Sequence, residues 1–448
     1  MSEDAIDGVA IPRIEKVIQD IAKERGIDFS RVTIREINIL GAQLRKRLGI
    51  DFIAMDIGVP GLPTPNVILE AQIAAITGHA CSQYTSFDGL PDPKEAGAYF
   101  LKQYLGIEVD SVNVIPTVGG MLSCKENIGI VGRLNPEKDT VLLLAPGFSV
   151  NELQARNLGV KTKWVDIHGK YGDDLVNLVE AELGSGNIAG MLWSSPNNPT
   201  WRVLSERELK GIGASLTKHD AIGMEDLAYF GLDSRMKDRR IPGQAPYFPT
   251  IANYTNNWVL ILSGSKIFNY AGERIGATVL SDHVAGITSE HLEQFYNRRR
   301  YWDAIVQGGL YSTVASVSQS AQRAFAAGLR AAADPDHPFN YFEYDKPYED
   351  RARAVRERFL SNGFSMPYDK DDFGEIGFGY YFTATHPGFK KGSELALEML
   401  KYGMTAVPLV GFGGNRHEGV RICVSLVTED KLDKLSRRLE MFNSAYNK

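Results

Sequence analysis

A lysine lies among small and hydroxyl-bearing residues in the segment SGSKIFNYAGERIG, residues 263–276. The amine of Lys266 could bind an aldehyde covalently and later move a proton. Arg274 and the hydroxyls of Ser263 and Ser265 could bind a phosphate dianion. The segment therefore indicates a lysine that binds a phosphorylated aldehyde cofactor, although a surface lysine in a loop would have the same local sequence.

Three upstream segments carry groups that could bind such a cofactor. Asp226 begins DLAY directly after an apolar segment, where a carboxylate could keep a pyridine nitrogen protonated. Gly119 and Gly120 of TVGGMLS could let backbone amides approach an anion at a helix N-terminus. Asn198 lies in SSPNNPTW, after another apolar segment. Each segment alone also fits an ordinary element: an N-cap aspartate, a glycine turn or an Asn-Pro turn.

Short apolar segments alternate with helical stretches from residue 51 onward. This alternation is typical of a mainly parallel β-sheet covered by helices, in which the C-terminal ends of the strands form the ligand crevice. Gly, Pro, Ser or Asn clusters follow several of the segments. The predicted strands are 111–115, 139–145, 160–165, 188–193, 220–225, 257–262 and 274–280, and the predicted helices between them include 119–132, 173–182 and 205–218.

The two ends of the chain have a different pattern. Residues 12–25 and 31–48 have the apolar spacing of amphipathic helices. We expect one long helical stretch at 284–330 and a connection at 331–345, where Pro and Asp recur. The elements predicted after it are a helix from about 346, strands 375–384 and 419–426, and helices 391–402 and 429–444.

A chain of 448 residues is long for a single hydrophobic core, so we predict two domains. The large α/β domain would comprise residues 51–330. The smaller α+β domain would combine residues 1–50 with residues 331–448.

The composition argues against several classes of protein. The net charge is −6 and dense basic runs such as Arg298–Arg300 are short, which disfavours nucleic-acid binding. The N-terminus is too polar for a secretory signal, and no apolar run is long enough to span a membrane. Cys81, Cys124 and Cys423 are widely spaced, which disfavours a zinc or disulfide scaffold and fits a reducing compartment. We expect a cytoplasmic protein without a metal.

The motifs occur in an order that resembles one family. They run from IGVP (57–60) through QYTSFDGLP (83–91), TVGG (117–120), PNNPT (196–200), DLAY (226–229) and SGSK (263–266) to VRICVS (420–425). This set resembles the class I/II aminotransferases, the aspartate-aminotransferase-like branch of the fold-type-I enzymes that use pyridoxal 5'-phosphate (PLP). The resemblance covers nearly the whole chain. It implies fold type I, with a mainly parallel sheet between helices in a large domain and a smaller α+β domain.

The resemblance implies a role for each matching residue around the PLP ring. Lys266 matches the lysine that forms the Schiff base and moves the proton of the substrate's α-carbon. Asp226 matches the partner of the pyridine nitrogen. Asn198 and Tyr229 match the pair that hydrogen-bonds the phenolic oxygen, and Phe148 matches the aromatic residue that stacks on the ring.

The resemblance also implies how the phosphate and the substrate are bound. Tyr84 matches a tyrosine that reaches the phosphate from the other subunit, which implies a homodimer with shared active sites. Arg421 matches the arginine whose planar guanidinium binds the substrate's α-carboxylate. Gly58 falls in the segment that closes over the substrate. The remaining phosphate-binding candidates are Gly119, Gly120, Ser263, Ser265 and Arg274.

The chain departs from the family's pattern in places that bear on specificity. Trp201 stands where the family has the glycine of NPTG, and it could wall the entrance to the site. None of the arginines at 298–300 can be aligned with the arginine that binds a side-chain carboxylate in aspartate-specific members. The segments 379–389 and 410–415 are rich in aromatic residues and glycine, so we expect a pocket for an apolar or aromatic amino acid.

The prediction that follows is a PLP-dependent aminotransferase. It would move an amino group from an L-amino acid to a 2-oxo acid by a ping-pong mechanism. The same residues would serve a β-lyase or a decarboxylase of the same fold, and the motifs scarcely separate these reactions. An aminotransferase-like transcription regulator is a remote alternative, because residues 1–50 are too few and not basic enough for a DNA-binding domain.

Overall fold

The chain begins with a two-stranded ribbon and two helices. In the computed structural model, which describes residues 5–29, 32, 34–413 and 418–446, β1 (Ala5–Ile6) pairs antiparallel with β2 (Val9–Ala10). Helices α1 (Ile11–Arg25) and α2 (Ile34–Leu48) follow. Pro12 lies in the first turn of α1, where a helix needs no N–H donor. Both predicted helices are present, although residues 31 and 33 of the second lie outside the described part of the chain.

A seven-stranded sheet forms the centre of the fold. Its strands are β3 (Val114–Thr117), β4 (Thr140–Ala145), β5 (Lys161–Asp166), β6 (Ile188–Ser194), β7 (Ile222–Asp226), β8 (Trp258–Ser263) and β9 (Gly276–Leu280). The order across the sheet is β3–β9–β8–β7–β6–β4–β5, and β9 runs in the direction opposite to the other six strands. The prediction of a mainly parallel sheet is confirmed, with strand bounds that differ by a few residues.

Successive residues of the strands belong to cores on opposite faces of the sheet. In β4, Leu142 and Leu144 lie in one apolar core, whereas Val141 and Leu143 lie in another. Burying a side chain of this size stabilises the fold by roughly 1.5–3 kcal/mol, so both faces hold the strands firmly.

The covering helices are α3 (Asn66–Thr77), α4 (Pro91–Leu105), α5 (Gly119–Val131), α6 (Val150–Leu158), α7 (Asp173–Leu183), α8 (Glu206–Lys218), α9 (Gly264–Ile267), α10 (Asp282–Gly286), α11 (Glu290–Tyr296), α12 (Tyr301–Asp303), α13 (Tyr311–Val314) and α14 (Gln319–Ala333).

The prediction of one helical stretch at 284–330 is wrong. The helix breaks at Asn297 and Ala315, which have φ values of 53° and 58°, and residues Ala304–Leu310 form a π-helix between α12 and α13. Several of the pieces contribute to the same apolar core, so the apolar spacing did not reveal the breaks. The predicted connection at 331–345 is also too long. Helix α14 continues to Ala333, and Asn340 caps the next helix through its side chain.

The C-terminal part adds a small antiparallel sheet and further helices. Its elements are α15 (Tyr341–Ser361), β10 (Lys370–Asp371), β11 (Gly374–Glu375), β12 (Tyr381–Ala384), α16 (Gly392–Lys401), β13 (Val407–Pro408), β14 (Val420–Cys423) and α17 (Leu432–Tyr446). Strand β14 lies between β12 and β13. Ile18 and Leu40 share an apolar core with Phe359 and Leu439. The domain bounds at residues 50 and 330 stay a prediction.

Candidate active site

A cavity of about 470 Å³ lies at the C-terminal edge of the central sheet. Strands β6, β7 and β8 end there at Ser194, Asp226 and Ser263, because the C-terminal ends of neighbouring parallel strands meet at one edge. All the predicted site residues except Gly119 and Tyr84 line this cavity: Gly58, Gly120, Phe148, Asn198, Asp226, Tyr229, Ser263, Ser265, Lys266, Arg274 and Arg421.

Lys266 lies on α9, the single turn that follows β8. The Ser263 hydroxyl caps this turn by accepting a hydrogen bond from the Ser265 N–H at 3.3 Å. The Lys266 amine donates a hydrogen bond to the Gly58 carbonyl oxygen. Burial, together with the positive charges of Arg421 and Arg274, lowers the pKa of Lys266 to about 8. Roughly a tenth of the amine is therefore uncharged at pH 7, far more than for an ordinary lysine, and the uncharged amine is the nucleophile.

Asp226 is the last residue of β7 and faces the cavity. Its carboxylate accepts a hydrogen bond from the Ala228 N–H at 3.0 Å. The preceding residue, Glu225, points away from the cavity and accepts hydrogen bonds from the Thr250 hydroxyl at 2.8 Å and the Ile251 N–H at 3.0 Å. Burial raises the pKa of Asp226 to about 7, so this carboxylate is placed to bind a protonated or cationic partner.

Gly119 and Arg274 meet beside the cavity. Gly119 starts α5 with a φ of 71°, and a Cβ atom added there would lie 2.8 Å from an Arg274 guanidinium nitrogen. The guanidinium also donates to the Ala271 carbonyl oxygen at 2.7 Å and to the Ser265 hydroxyl at 3.4 Å. A cation, a hydroxyl and the N-terminus of a 13-residue helix thus converge, which is the donor set of an anion site.

Arg421 reaches the cavity from the small sheet. It lies on β14 and is 3% exposed. Its guanidinium donates to the Asn198 side-chain oxygen at 3.2 Å and to the Asp56 carbonyl oxygen. Within the described residues the Nε–H of Arg421 has no hydrogen-bond partner. A buried guanidinium that retains a free donor can bind a planar carboxylate.

Aromatic residues form one wall of the cavity. The Tyr229 and Tyr381 hydroxyls are 2.8 Å apart. The guanidinium of Arg421 lies 4.7 Å from the centre of the Tyr381 ring. A Cβ atom added to Gly58 would lie 1.9 Å from the Tyr381 hydroxyl, so only glycine fits at position 58. Phe148 lines the same cavity.

Trp201 does not wall the entrance. Its ring is fully buried, with Tyr229, Tyr380 and Tyr381 around it at centroid distances of 5.6, 6.4 and 6.0 Å. Its backbone has a φ of 65°, the conformation that glycine adopts most easily. Gly379 leaves room for the ring, since a Cβ atom there would lie 1.9 Å from it. The tryptophan therefore supports the aromatic wall from behind.

Two groups of predicted interest lie outside the cavity. The Tyr84 side chain is 90% exposed. Arg298 and Arg299 contact neighbouring surface side chains, Gln307 and Glu293, and Arg300 donates to a backbone carbonyl oxygen. Residues 414 and 415 of the predicted side-chain pocket lie outside the described residues.

Sequence reasoning missed several lining residues. Tyr381, Met121, Cys124 and Ser194 all line the cavity. Tyr381 lies in the segment 379–389, which was expected to shape the side-chain pocket, but its pairing with Cys423 across β12 and β14 could not be read from the sequence. The position of Met121, directly after the paired glycines, was the available signal for that residue.

Comparison with known proteins decides the family. The family model for aminotransferase class I and II matches residues 50–439. The chain belongs to this family. A probable aspartate aminotransferase from Methanocaldococcus jannaschii is 25% identical over 384 residues, or 85% of this chain and 90% of the relative. An LL-diaminopimelate aminotransferase from Maridesulfovibrio salexigens is 28% identical over 408 residues, which is 90% of this chain and 94% of that relative.

Solved structures agree on the fold of this aminotransferase. A double mutant of the Thermus thermophilus aspartate aminotransferase superposes with a TM-score of 0.73 at 19% identity, covering 92% of this chain and 96% of that one. The predicted fold type I is therefore confirmed. In the described parts of the chain, none of the helices has the length and apolar character that a membrane span requires.

Family membership also decides the class of reaction. The aminotransferase is an enzyme that transfers an amino group between amino acids and 2-oxo acids, and the lyase, decarboxylase and regulator alternatives are not favoured. The family implies dependence on PLP. The residues of the cavity fit that group, because an amine, a carboxylate and the cradle of Gly119 and Arg274 supply the donor and acceptor types that an aldehyde, a pyridine nitrogen and a phosphate need.

Proposed function

We propose that the aminotransferase binds PLP through Lys266 in the cavity at the edge of the central sheet, and that it transfers the amino group of an L-amino acid to a 2-oxo acid by a ping-pong mechanism. The observation that carries this proposal is the meeting of a buried amine, a buried carboxylate and an anion cradle around one cavity. PLP, when bound, supplies an electron sink that stabilises negative charge at the substrate's α-carbon.

Lys266 is the proposed nucleophile and proton carrier. Its lowered pKa leaves the amine partly uncharged, so it can attack an aldehyde at neutral pH. Once displaced by the substrate's amine, Lys266 would take the proton from the substrate's α-carbon and deliver it to C4′, the former aldehyde carbon of the cofactor. Asp226 would hold the proton of a pyridine nitrogen, and that cation would bring the pKa of Asp226 back down and keep it ionised.

The phosphate would be bound at the start of α5. The backbone N–H groups of Gly119 and Gly120, the Ser263 and Ser265 hydroxyls and the Arg274 guanidinium are the proposed donors. Phe148 would stack on the ring, and Asn198 and Tyr229 would hydrogen-bond its phenolic oxygen.

Arg421 is the proposed anchor for the substrate's α-carboxylate. The guanidinium is already oriented by Asn198 and by the backbone of Asp56. A carboxylate fixed there orients the bond that must break at the α-carbon. The segment that contains Gly58 would close over the substrate and exclude water, since it passes directly against Tyr381.

A homodimer is proposed from the exposed apolar surface. Tyr84 is 90% exposed, and Ile73 and Ile76 on α3 are 61% and 47% exposed. Such side chains on one region favour an interface. Tyr84 would then reach the phosphate in the partner's cavity. A cytoplasmic location is proposed with it, since all three cysteines are free.

The proposed donor is an apolar or aromatic amino acid. Apart from the residues assigned above, the cavity is lined by uncharged groups such as Ile57, Val59 and Met121. A charged substrate side chain buried against this surface would lose its hydration and find no group of opposite charge. The two relatives described above are named for aspartate and LL-diaminopimelate, so both compounds belong in the test.

A panel of single amino acids tests the proposed function. The PLP-loaded protein is mixed with one amino acid at a time, and the loss of the lysine-bound cofactor's absorbance and the formation of pyridoxamine phosphate are recorded. The account predicts that at least one apolar or aromatic amino acid gives pyridoxamine phosphate and its 2-oxo acid in equal amounts. Ammonia and pyruvate released without a 2-oxo acid acceptor would contradict transamination and indicate a lyase.

A further inference from the structure

Tyr381 has a hydroxyl that no proposed role has yet used. It lies on β12 beside β14, and its hydroxyl is 2.8 Å from that of Tyr229. The two rings meet edge to face, with centroids 5.4 Å apart and an interplanar angle of 77°. Tyr381 is 1% exposed and yet borders the cavity.

The Tyr381 ring has little freedom to move. Trp201 packs against it edge to face on one side, at 6.0 Å, and the Arg421 guanidinium lies 4.7 Å from its centre. The hydroxyl itself lies against Gly58, where a Cβ atom would be only 1.9 Å away. A hydroxyl fixed in this way can form a hydrogen bond of constant geometry with Tyr229.

The pair shares two protons between two oxygens. If Tyr229 donated to Tyr381, its single proton would not be available to the cavity. If Tyr381 donates, the Tyr229 proton is free to point into the cavity. We infer that Tyr381 is a positioning residue whose hydroxyl donates to Tyr229 and thereby directs the Tyr229 proton toward the phenolic oxygen of bound PLP. This inference rests on the proposed function, because it requires PLP in the cavity.

The donation has a consequence that can be measured. A hydrogen bond from Tyr229 withdraws negative charge from the phenolic oxygen. The phenolic oxygen then stabilises a proton on the neighbouring lysine-derived nitrogen less well, which lowers the pKa of that nitrogen. The Tyr381 hydroxyl, by donating to the Tyr229 oxygen, makes Tyr229 a stronger donor and so increases this lowering. The ionisable groups that face the pair are Asp226, Lys266, Arg421 and Cys423, and a Tyr381→Phe substitution leaves all four in place.

The test is a pH titration of the visible absorbance of PLP-loaded protein. For Tyr381→Phe we expect the midpoint to rise by roughly half to one pH unit, a shift of the size that losing one hydrogen bond between uncharged groups can produce. We expect kcat to fall several-fold while KM changes little. The matched control is Tyr380→Phe, which removes the neighbouring hydroxyl that lies 3.5 Å from the Asn269 side-chain oxygen, and its midpoint should not move.

A double-mutant cycle separates positioning from a general loss of packing. In a Tyr229→Phe background, Tyr381→Phe should cause no further shift of the midpoint, because the hydrogen bond from Tyr229 to the phenolic oxygen is already missing. An unchanged or lowered midpoint for Tyr381→Phe, or an equal shift in both backgrounds, would overturn the inference and leave the proposed function standing. Wild-type protein that forms no lysine-bound cofactor would instead overturn the proposed function.

Discussion

The Lys266 amine donates a hydrogen bond to the carbonyl oxygen of Gly58, a residue 208 positions earlier in the chain. The contact joins the turn after β8 to the segment that precedes α3. The carbonyl is a neutral acceptor, and burial together with the cations of Arg421 and Arg274 disfavours the charged amine. The protein without cofactor therefore holds its proposed nucleophile in an unfavourable, reactive form.

Replacing this lysine should stabilise the protein without its cofactor. The folded-state pKa of Lys266 is lowered from 10.5 to about 8, so the unfolded chain binds this proton more tightly. The cost of about 3 kcal/mol is full below pH 8 and disappears as the pH rises toward 10.5. Lys266→Met should raise the free energy of unfolding by up to that amount at pH 7, as measured by chemical denaturation. A gap that does not shrink between pH 7 and pH 10 would contradict the assigned pKa.

Asp226 should control turnover more than cofactor binding. Asp226→Ala and Asp226→Asn remove the charge that would hold a proton on the pyridine nitrogen, so kcat should fall by about 10²-fold or more. Some lysine-bound cofactor should remain visible in both variants, because the phosphate cradle is separate. Steady-state kinetics with the best donor measures the effect. Turnover within a few-fold of wild type would remove the role proposed for this carboxylate.

Gly119 should be essential to the phosphate cradle in a way that Gly120 is not. An alanine Cβ at position 119 would lie 2.8 Å from the Arg274 guanidinium and would require a φ of 71°. At position 120 the nearest atoms would be 3.4 Å and 3.5 Å away, on Ile261 and Ser263. We expect Gly119→Ala to weaken PLP binding about tenfold, which corresponds to about 1.4 kcal/mol. Gly120→Ala is the matched control, and equal Kd values for the two variants would argue against the cradle.

The buried ring of Trp201 should stabilise the fold, whereas the positive φ of its backbone should destabilise it. Deleting a buried ring of this size typically destabilises a protein by about 3–5 kcal/mol, so Trp201→Ala should lower the free energy of unfolding by that order. Trp201→Gly should be less damaging than Trp201→Ala by about 1 kcal/mol, because glycine adopts a positive φ without strain. Denaturant unfolding of both variants measures the difference. A glycine variant less stable than the alanine variant would contradict the role assigned to the backbone.

Much of the site could be predicted because its residues follow strands. Asp226 ends β7 and Lys266 follows the end of β8 by three residues, and strand ends in a parallel sheet meet at one edge. The sheet itself was visible because both faces of its inner strands are buried, which makes a strand such as β4 a continuous apolar run at Val141–Leu144.

The rest depends on contacts between distant segments, which local patterns do not encode. Nothing in the local sequence pairs Tyr381 with Tyr229, which is 152 positions away. The burial of Trp201 depends on the missing side chain of Gly379, so neither residue could be interpreted without the other. The break at Asn297 lies between pieces that pack on one core, and the break at Ala315 lies between apolar pieces that pack on two different cores, so an analysis of apolar spacing reveals neither.

The central claim is that Lys266 carries the cofactor, and one measurement tests it directly. The purified protein is incubated with PLP, reduced with borohydride, digested and mapped by peptide mass spectrometry. The account predicts a phosphopyridoxyl group on the peptide that contains Lys266, at one group per chain, and no such group and no Schiff-base absorbance band in Lys266→Ala. A group on another lysine, or a Schiff-base band that survives in Lys266→Ala, would contradict the account.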